Sequence, residues 1–363
     1  MIPLPHPRRV LSIQSHVVYG YVGNKAATFP LQVLGYDVDP VNAVQFSNHT
    51  GYPGRTGELL KPNEMESLVN GLEGNGMLQE YTHVLTGYIG RASCLAVIAD
   101  LVQRLKRINP NVIFVLDPVM GDNDKLYVHP DLVPVYRDTL CPLADMITPN
   151  AYEAELLTSI RATNTTTALQ AIDALHALHI PTVIITSVHL SDHAHKYPNT
   201  RHLHLIASYR PLAKTDPTAR GKPVLFSIAF PEKEGVFTGT GDMATALLLA
   251  YLGNEDVPVA GSHGEEVGPE DLIKIEGYLK TACEKAVAAV QSVLEETISA
   301  REAWGAVGMT GGGRQAGEGE EVKDVKTLAS FWKRRELAVV QSKRHYEEPV
   351  VRYKAEDVRL HFR

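Results

Sequence analysis

Short apolar runs alternate with longer amphipathic ones from the start of the chain, a rhythm that predicts strands and helices in turn. Arg9–Ile13 (RVLSI) reads as a first strand, Gly23–Leu34 as a helix carrying Ala26, Ala27 and Leu31, and Asp37–Val44 as a second strand. Thr82–Thr86 (THVLT) predicts a third strand, and Ser93–Arg107 an amphipathic helix. The unbroken apolar run in Val112–Asp117 (VIFVLD) predicts a strand buried on both faces. Asp145–Thr148 predicts another, followed by a helix that opens near Asn150. Thr167–Leu178 then reads as a helix and Thr182–Thr186 (TVIIT) as a strand.

Alternation of this kind implies an α/β architecture with three layers, in which helices cover both faces of a mainly parallel central sheet. Ligands of such sheets bind beyond the carboxyl ends of the strands. The polar groups that end these strands are Ser15, Asp117, Thr148, Thr186 and Asp242. Residues 189–234 break the rhythm with several His and Pro and the runs HLHLIAS and VLFSIAF, which predicts antiparallel strands and exposed loops at the sheet edge. Residues 253–270 and 308–325 are rich in Gly and Glu and read as surface insertions, the second expected to be disordered. No internal repeat is visible, so residues 1–363 are read as one domain.

The bulk properties narrow the function classes. The chain has 363 residues, a net charge of −7, 44% hydrophobic residues and 21% charged ones, which fits a soluble globular enzyme. The mild acidity argues against nucleic acid as a partner, and no window approaches a transmembrane length. Cys94, Cys141 and Cys283 are too few and too scattered for a disulfide framework or a zinc site, and suit a reducing compartment. The start, MIPLPHPRRV, has no apolar signal core. A cytoplasmic protein is expected, with the nucleus as the alternative.

The most informative stretch is Gly235–Leu252 (GVFTGTGDMATALLLAYL). It reads as a short apolar strand, a tight turn Gly239-Thr240-Gly241-Asp242, and a strongly apolar helix that begins at about Asp242. The two glycines allow close backbone approach to a ligand, and the helix N-terminus favours an anion such as phosphate. A carboxylate in such a nest repels a ground-state phosphate. Its best use is to take a proton from an attacking hydroxyl. The competing reading makes Asp242 a plain helix N-cap.

Further candidates recur at strand ends. Asp117-Pro-Val-Met-Gly-Asp122 places two acids where they can hold a cation near phosphates, or simply form a polar turn. Asn150 and Glu153 share one face of a first helical turn. They suit Mg²⁺ through waters and equally make a capping box, and the two roles are compatible. The segment after the first strand lacks the G-x-G-x-x-G spacing, which excludes dinucleotide binding there. Ser15 can hydrogen-bond a small polar ligand, Thr50 can mark the far side of the same pocket, and Tyr88 can stack on an aromatic substrate.

Taken together, these residues resemble one family. From about Arg9 to His345 the chain is similar to pyridoxal kinases of the ribokinase-like superfamily. The resemblance is carried by RVLSIQSHVVYGYVGNKAATFPLQVLGYDVDPVNAVQFSNHTGY and persists at VLTGY, LDPVMGD, ADMITPNAYEAELL, VIITS, VFTGTGD and AVVQSKRHYEEP. Residues 190–234, 253–276 and 305–325 carry little of it. It implies a ribokinase-like fold and phosphoryl transfer from ATP to the 5′-hydroxymethyl group of pyridoxal, pyridoxine or pyridoxamine. It further implies Asp242 as proton acceptor, with the amides of Gly239, Thr240, Gly241 and Asp242 as the anion hole. Ser15 and Thr50 resemble vitamer-ring ligands, with Val22 and Tyr88 as pocket walls. Asp117, Thr148 and Thr186 resemble a monovalent-cation site, with K⁺ the expected ion. Asp122, Ser187 and Thr240 resemble ATP contacts, with Asn150 and Glu153 supporting Mg²⁺. The resemblance also implies a homodimer.

Three segments depart from the animal pattern. Asn123–Tyr127 is a short lid segment, Arg91 is displaced by about one position, and Lys233–Phe237 varies where adenine would lie. Two other functions fit parts of the same pattern: a related kinase for a hydroxymethylpyrimidine, and a non-catalytic vitamer-binding protein on a dead kinase scaffold. The second would require loss of the base or of the glycine turn, and both are present.

Overall fold

The structure, a computed structural model, describes residues 8–211, 224–253, 268–308 and 325–358. Its elements in chain order are β1 Arg9–Val17, α1 Asn24–Val33, β2 Asp37–Phe46, β3 Gly57–Leu59, α2 Pro62–Gly74, β4 His83–Thr86, α3 Ala92–Ile108 and β5 Ile113–Leu116. They continue with β6 Gly121–Asp122, β7 Lys125–Leu126, α4 Leu132–Val135, β8 Met146–Ile147, α5 Ala151–Thr158, α6 Thr165–Ala177, β9 Thr182–Val188, β10 His202–Tyr209 and β11 Val224–Pro231. The last are α7 Thr240–Gly253, α8 Pro269–Gly308, α9 Val325–Lys333, α10 Lys343–Glu347 and β12 Glu356–Asp357.

The main sheet runs in the order β12-β11-β10-β9-β8-β5-β4-β1-β2-β3. Its centre, β9-β8-β5-β4-β1-β2, is parallel throughout. The edges are antiparallel, β3 on one side and β10, β11 and β12 on the other. Strand β1 lies between β2 and β4, so the chain leaves it in opposite directions along the sheet. Strand order reverses there, and a crevice opens at the carboxyl ends.

Each face of the sheet has its own apolar core. On one face the pattern of α3 buries Cys94, Leu95, Ile98, Val102 and Leu105, joined by Met65 and Val69 of α2 and by residues of α5 and α6. On the other face α1 contributes Ala26, Ala27 and Leu31, and α8 contributes Ile275, Leu279, Cys283 and Ala286. Helix α7 is buried from Met243 to Leu252 apart from Ala244. A helix that is apolar on nearly every side must be covered on nearly every side.

Several expectations are corrected by the structure. No strand precedes the glycine turn: residues 232–239 run as irregular chain. The following helix begins at Thr240, ahead of Asp242. Helix α2 and strand β3 were not anticipated. Only Met65 and Val69 of α2 are buried, and β3 is a three-residue edge strand with no buried side chain. Residues 189–234 do contribute the expected antiparallel pair, β10 and β11. The two proposed insertions fall almost wholly outside the described residues.

Candidate active site

The site is assembled around the glycine turn. Gly239 has φ +85, in the left-handed region that glycine tolerates. A Cβ there would overlap the Tyr21 carbonyl. The Met243 N–H donates to the Gly239 carbonyl at 3.1 Å, so Thr240, Gly241 and Asp242 form the first turn of α7. Amides of a first turn have no partner within the helix and present a positive dipole end to an anion.

Asp242 therefore lies inside the helix and is not its N-cap. Its Oδ2 accepts a hydrogen bond from the Gly23 N–H at 2.8 Å. Gly23 caps α1 with φ +53, and a Cβ there would overlap the Ser15 carbonyl and crowd its hydroxyl. Ser15, Gly23 and Asp242 are thus neighbours, and Val22 lies beside Gly239. Asp242 is enclosed by protein on most sides yet keeps part of its surface open. Burial raises its carboxyl above the ordinary value, while the Gly23 hydrogen bond opposes that shift.

Asp117 lies one residue beyond β5 and is buried. Its Oδ2 faces Gly241, 4.0 Å from where a Cβ would stand, and has no hydrogen-bond partner. Burial first, then the charges of Glu153 and Asp242, push its carboxyl well above the usual range, and a hydrogen bond with Thr245 pulls the other way. A buried carboxyl oxygen without a donor, close to two further acids, is a site that a cation would satisfy.

Glu153 is held differently. Its Oε1 accepts from the Met120 N–H at 3.0 Å and the Gly121 N–H at 3.5 Å, and its Oε2 from the Asn150 N–H at 2.9 Å. Asn150 Oδ1 accepts from the Glu153 N–H at 2.9 Å, which completes the capping box. The Asn150 amide also donates to the Gly121 carbonyl at 2.8 Å. Glu153 thus fastens the loop after β5 to the start of α5, with both oxygens engaged. Burial pushes its carboxyl up to about 8 against the effect of those N–H donors.

The remaining candidates lie near the carboxyl ends of strands, but not all at the expected boundary: Ser15 is still inside β1, Thr186 and Ser187 are still inside β9, and Thr50 is four residues past β2. The Thr148 and Thr245 hydroxyls are 2.9 Å apart and buried. Thr186 donates through its hydroxyl to the Pro149 carbonyl at 3.3 Å, and Ser187 follows it, half-buried. Tyr88 is half-buried beside Gly90. Asp122 is exposed at the mouth of the β6–β7 hairpin, where it accepts from the Asn123 N–H at 2.9 Å. Asn123 and Asp124 both have positive φ, so β6 and β7 are joined by a tight two-residue turn within the segment expected as a short lid. Thr50 is exposed on the loop after β2, next to buried His49. Among the described residues no group of three or more His, Cys, Asp or Glu is arranged to hold a metal, and no helix is long and apolar enough to cross a membrane.

Two participants were not anticipated. Thr245 follows Asp242 by three residues and so shares its helix face, a spacing that the sequence does display. Gly23 carries its role through a backbone amide, which leaves no side-chain signal.

Comparisons with known proteins point to one family. A family model described as phosphomethylpyrimidine kinase matches residues 79–210. Longer matches are to pyridoxal kinases. The chain is 42% identical to that of Sus scrofa over 347 residues, covering 94% of this chain and 93% of the relative. It is 45% identical to that of Arabidopsis thaliana over 291 residues, covering 80% and 82%. Among solved structures it resembles the pyridoxal kinase of Leishmania donovani in complexes with ADP and pyridoxine or pyridoxamine. Each has 31% identity and a TM-score of 0.74, over 97% of this chain and 99% or 100% of the other.

Proposed function

The chain belongs to the pyridoxal kinase family, and from that premise we propose residue roles for its reaction, the ATP-dependent phosphorylation of the 5′-hydroxymethyl group of vitamin B6 vitamers. Asp242 accepts the proton of the attacking hydroxyl. The supporting observation is its position: a carboxylate in the first turn of α7, held by the Gly23 N–H at 2.8 Å, beside amides suited to phosphate. Its raised carboxyl is a better proton acceptor than an ordinary one, provided that it is ionised. The amides of Gly239, Thr240, Gly241 and Asp242 take up charge on the transferring phosphoryl group. A loose transition state of this kind mainly needs positioning and neutralisation.

Ser15, Val22, Thr50 and Tyr88 line the vitamer side, and Asp122, Asn150, Ser187 and Thr240 the nucleotide side. Asp117, Thr148 and Thr186 would hold a monovalent cation, K⁺ being the ion the family resemblance suggests. The unpartnered Asp117 Oδ2 supports this, and a hydroxyl that donates a hydrogen bond keeps lone pairs for a cation. Mg²⁺ would sit near the phosphates. With both oxygens already engaged, Glu153 acts on it through waters and through the loop it fastens. Such cations would neutralise phosphate charge and the crowded carboxylates. The three free buried cysteines suit a reducing cytoplasmic or nuclear setting.

A coupled assay of ADP release with each B6 vitamer tests the function. Turnover with a hydroxymethylpyrimidine but with no vitamer would replace the substrate. The family resemblance also supports a homodimer, the commonest oligomer. Light scattering that shows only a 39.8 kDa species at micromolar concentration would reject it.

A further inference from the structure

A nearly buried carboxylate, remote in sequence from the glycine turn, joins the two loops that frame the proposed vitamer side. Glu336 follows α9, and only 10% of its side chain is exposed. Its Oε2 accepts from the Tyr21 N–H at 3.0 Å, and its Oε1 from the Tyr52 hydroxyl at 2.9 Å. The same Oε1 lies 3.3 Å from His49 Nε2, close enough for an ion pair when the ring is protonated but not aligned for a hydrogen bond. Gly20, with φ +95, lets the carboxylate approach, since a Cβ there would overlap it. Burial first, and the facing Glu336 charge second, keep the Tyr52 hydroxyl protonated and able to donate.

These contacts reach each side of the pocket. Two residues beyond Tyr21 stands Gly23, whose N–H holds Asp242. Thr50 lies between His49 and Tyr52 on the other loop. Trp332 of α9 packs edge-on against His49 with centroids 5.2 Å apart and touches the open side of Gly51. The strap that carries Glu336 is fixed independently. Leu337 and Val339 are buried, and the Ala338 N–H donates to the Thr297 hydroxyl of α8 at 3.0 Å. Apolar anchors therefore secure the strap without Glu336, while burial of a carboxylate is unfavourable unless its oxygens are bonded.

We propose that Glu336 is a positioning residue for the vitamer: it sets the loop 19–23 and the loop 48–52 at one fixed separation. The inference rests on the proposed vitamer pocket. A misplacement of about 1 Å between such groups can weaken a reaction by ~100-fold. The test is calorimetric titration of the full-length protein with pyridoxal and, separately, with ATP, together with steady-state Michaelis constants. E336Q offers a single acceptor oxygen where Glu336 uses two, so one loop faces an amide donor. Y52F removes a single bond and is the milder variant.

The expected result is a rise of ~10-fold or more in the pyridoxal dissociation constant and Michaelis constant of E336Q, with ATP constants within ~2-fold of wild type. Y52F should shift in the same direction by less. Unchanged pyridoxal binding in E336Q overturns the inference, as does a parallel loss for both ligands with a lowered melting temperature. Wild-type protein that binds ATP but not pyridoxal would instead strike the functional reading.

Discussion

The substitution Asp242→Asn separates proton transfer from everything else that Asp242 does. The asparagine Oδ1 can still accept from the Gly23 N–H, the bond that measures 2.8 Å in the structure. What disappears is the charge assistance of that bond, which is worth ~1 kcal/mol or less once solvation is counted. Loss of the Asp242 charge also relieves its repulsion with Asp117, which acts in the opposite direction. The melting temperature should therefore move by no more than about 2 °C. Turnover should fall by ~10²–10⁴, the usual range for loss of a general base, equivalent to ~2.7–5.5 kcal/mol of transition-state stabilisation. The Michaelis constant for ATP should not rise, because an amide no longer repels the γ-phosphate. Initial rates of ADP release at varied pyridoxal and ATP, with single-turnover rates to exclude slow product release, measure all three quantities. Asp242→Ala is the companion variant. It leaves the Gly23 amide without an acceptor and should lose stability by ~1–3 kcal/mol in addition. Near-normal single-turnover rates in a folded Asp242→Asn protein would refute the assignment and leave Asp242 as a tether between α7 and the loop before α1.

Other variants and conditions test the surrounding groups. Glu153→Gln keeps one acceptor oxygen where Glu153 uses two, and Glu153→Ala leaves the Met120 and Asn150 amides unsatisfied. Both should melt lower, the alanine variant by ~1–3 kcal/mol more, and both should need more Mg²⁺; an unchanged Mg²⁺ titration in Glu153→Gln makes Glu153 structural only. The carboxyl of Glu153, raised from 4.5 to about 8, makes the folded state bind a proton more tightly than the unfolded chain. Its contribution is fully present below the unfolded value and is lost as pH rises through the folded value. Added Mg²⁺ and K⁺ favour the ionised carboxyls, so the rise in melting temperature on adding them should be larger at about pH 8.5 than at about pH 5.5; equal increments would contradict this. Deleting Gly311–Gly319 should leave both Michaelis constants within ~2-fold, since loop length has a small effect and Leu337 and Val339 anchor the strap downstream. A large rise in either constant, with unchanged circular dichroism, would make the insertion a lid.

Local chemistry was legible along the chain. The βα rhythm predicted the parallel centre of the sheet, because the periodicity of burial is set by neighbouring residues. The box formed by Asn150 and Glu153 follows from three-residue spacing alone, and the structure contains it. The glycine turn was readable for the same reason, although its helix begins at Thr240. Helix α2 leaves little periodic signal in the sequence, because only Met65 and Val69 turn inward, too few to mark a face.

The company each group keeps was decided by the tertiary structure. Asp242 meets Gly23 across 219 residues, and Glu336 meets Tyr21 across 315. Glu153 reads locally as a cap, yet it also receives Met120 and Gly121, which makes it the fastening of a second loop. Asp117 becomes a candidate place for a cation only when folding buries it beside Glu153 and Asp242 and leaves Oδ2 without a donor. Caps, turns and periodicity act over a few residues and are written in sequence order. Desolvation and pairing of charges depend on which strand ends share one crevice, and that is fixed only when β1, β4, β5 and β8 line up in the sheet.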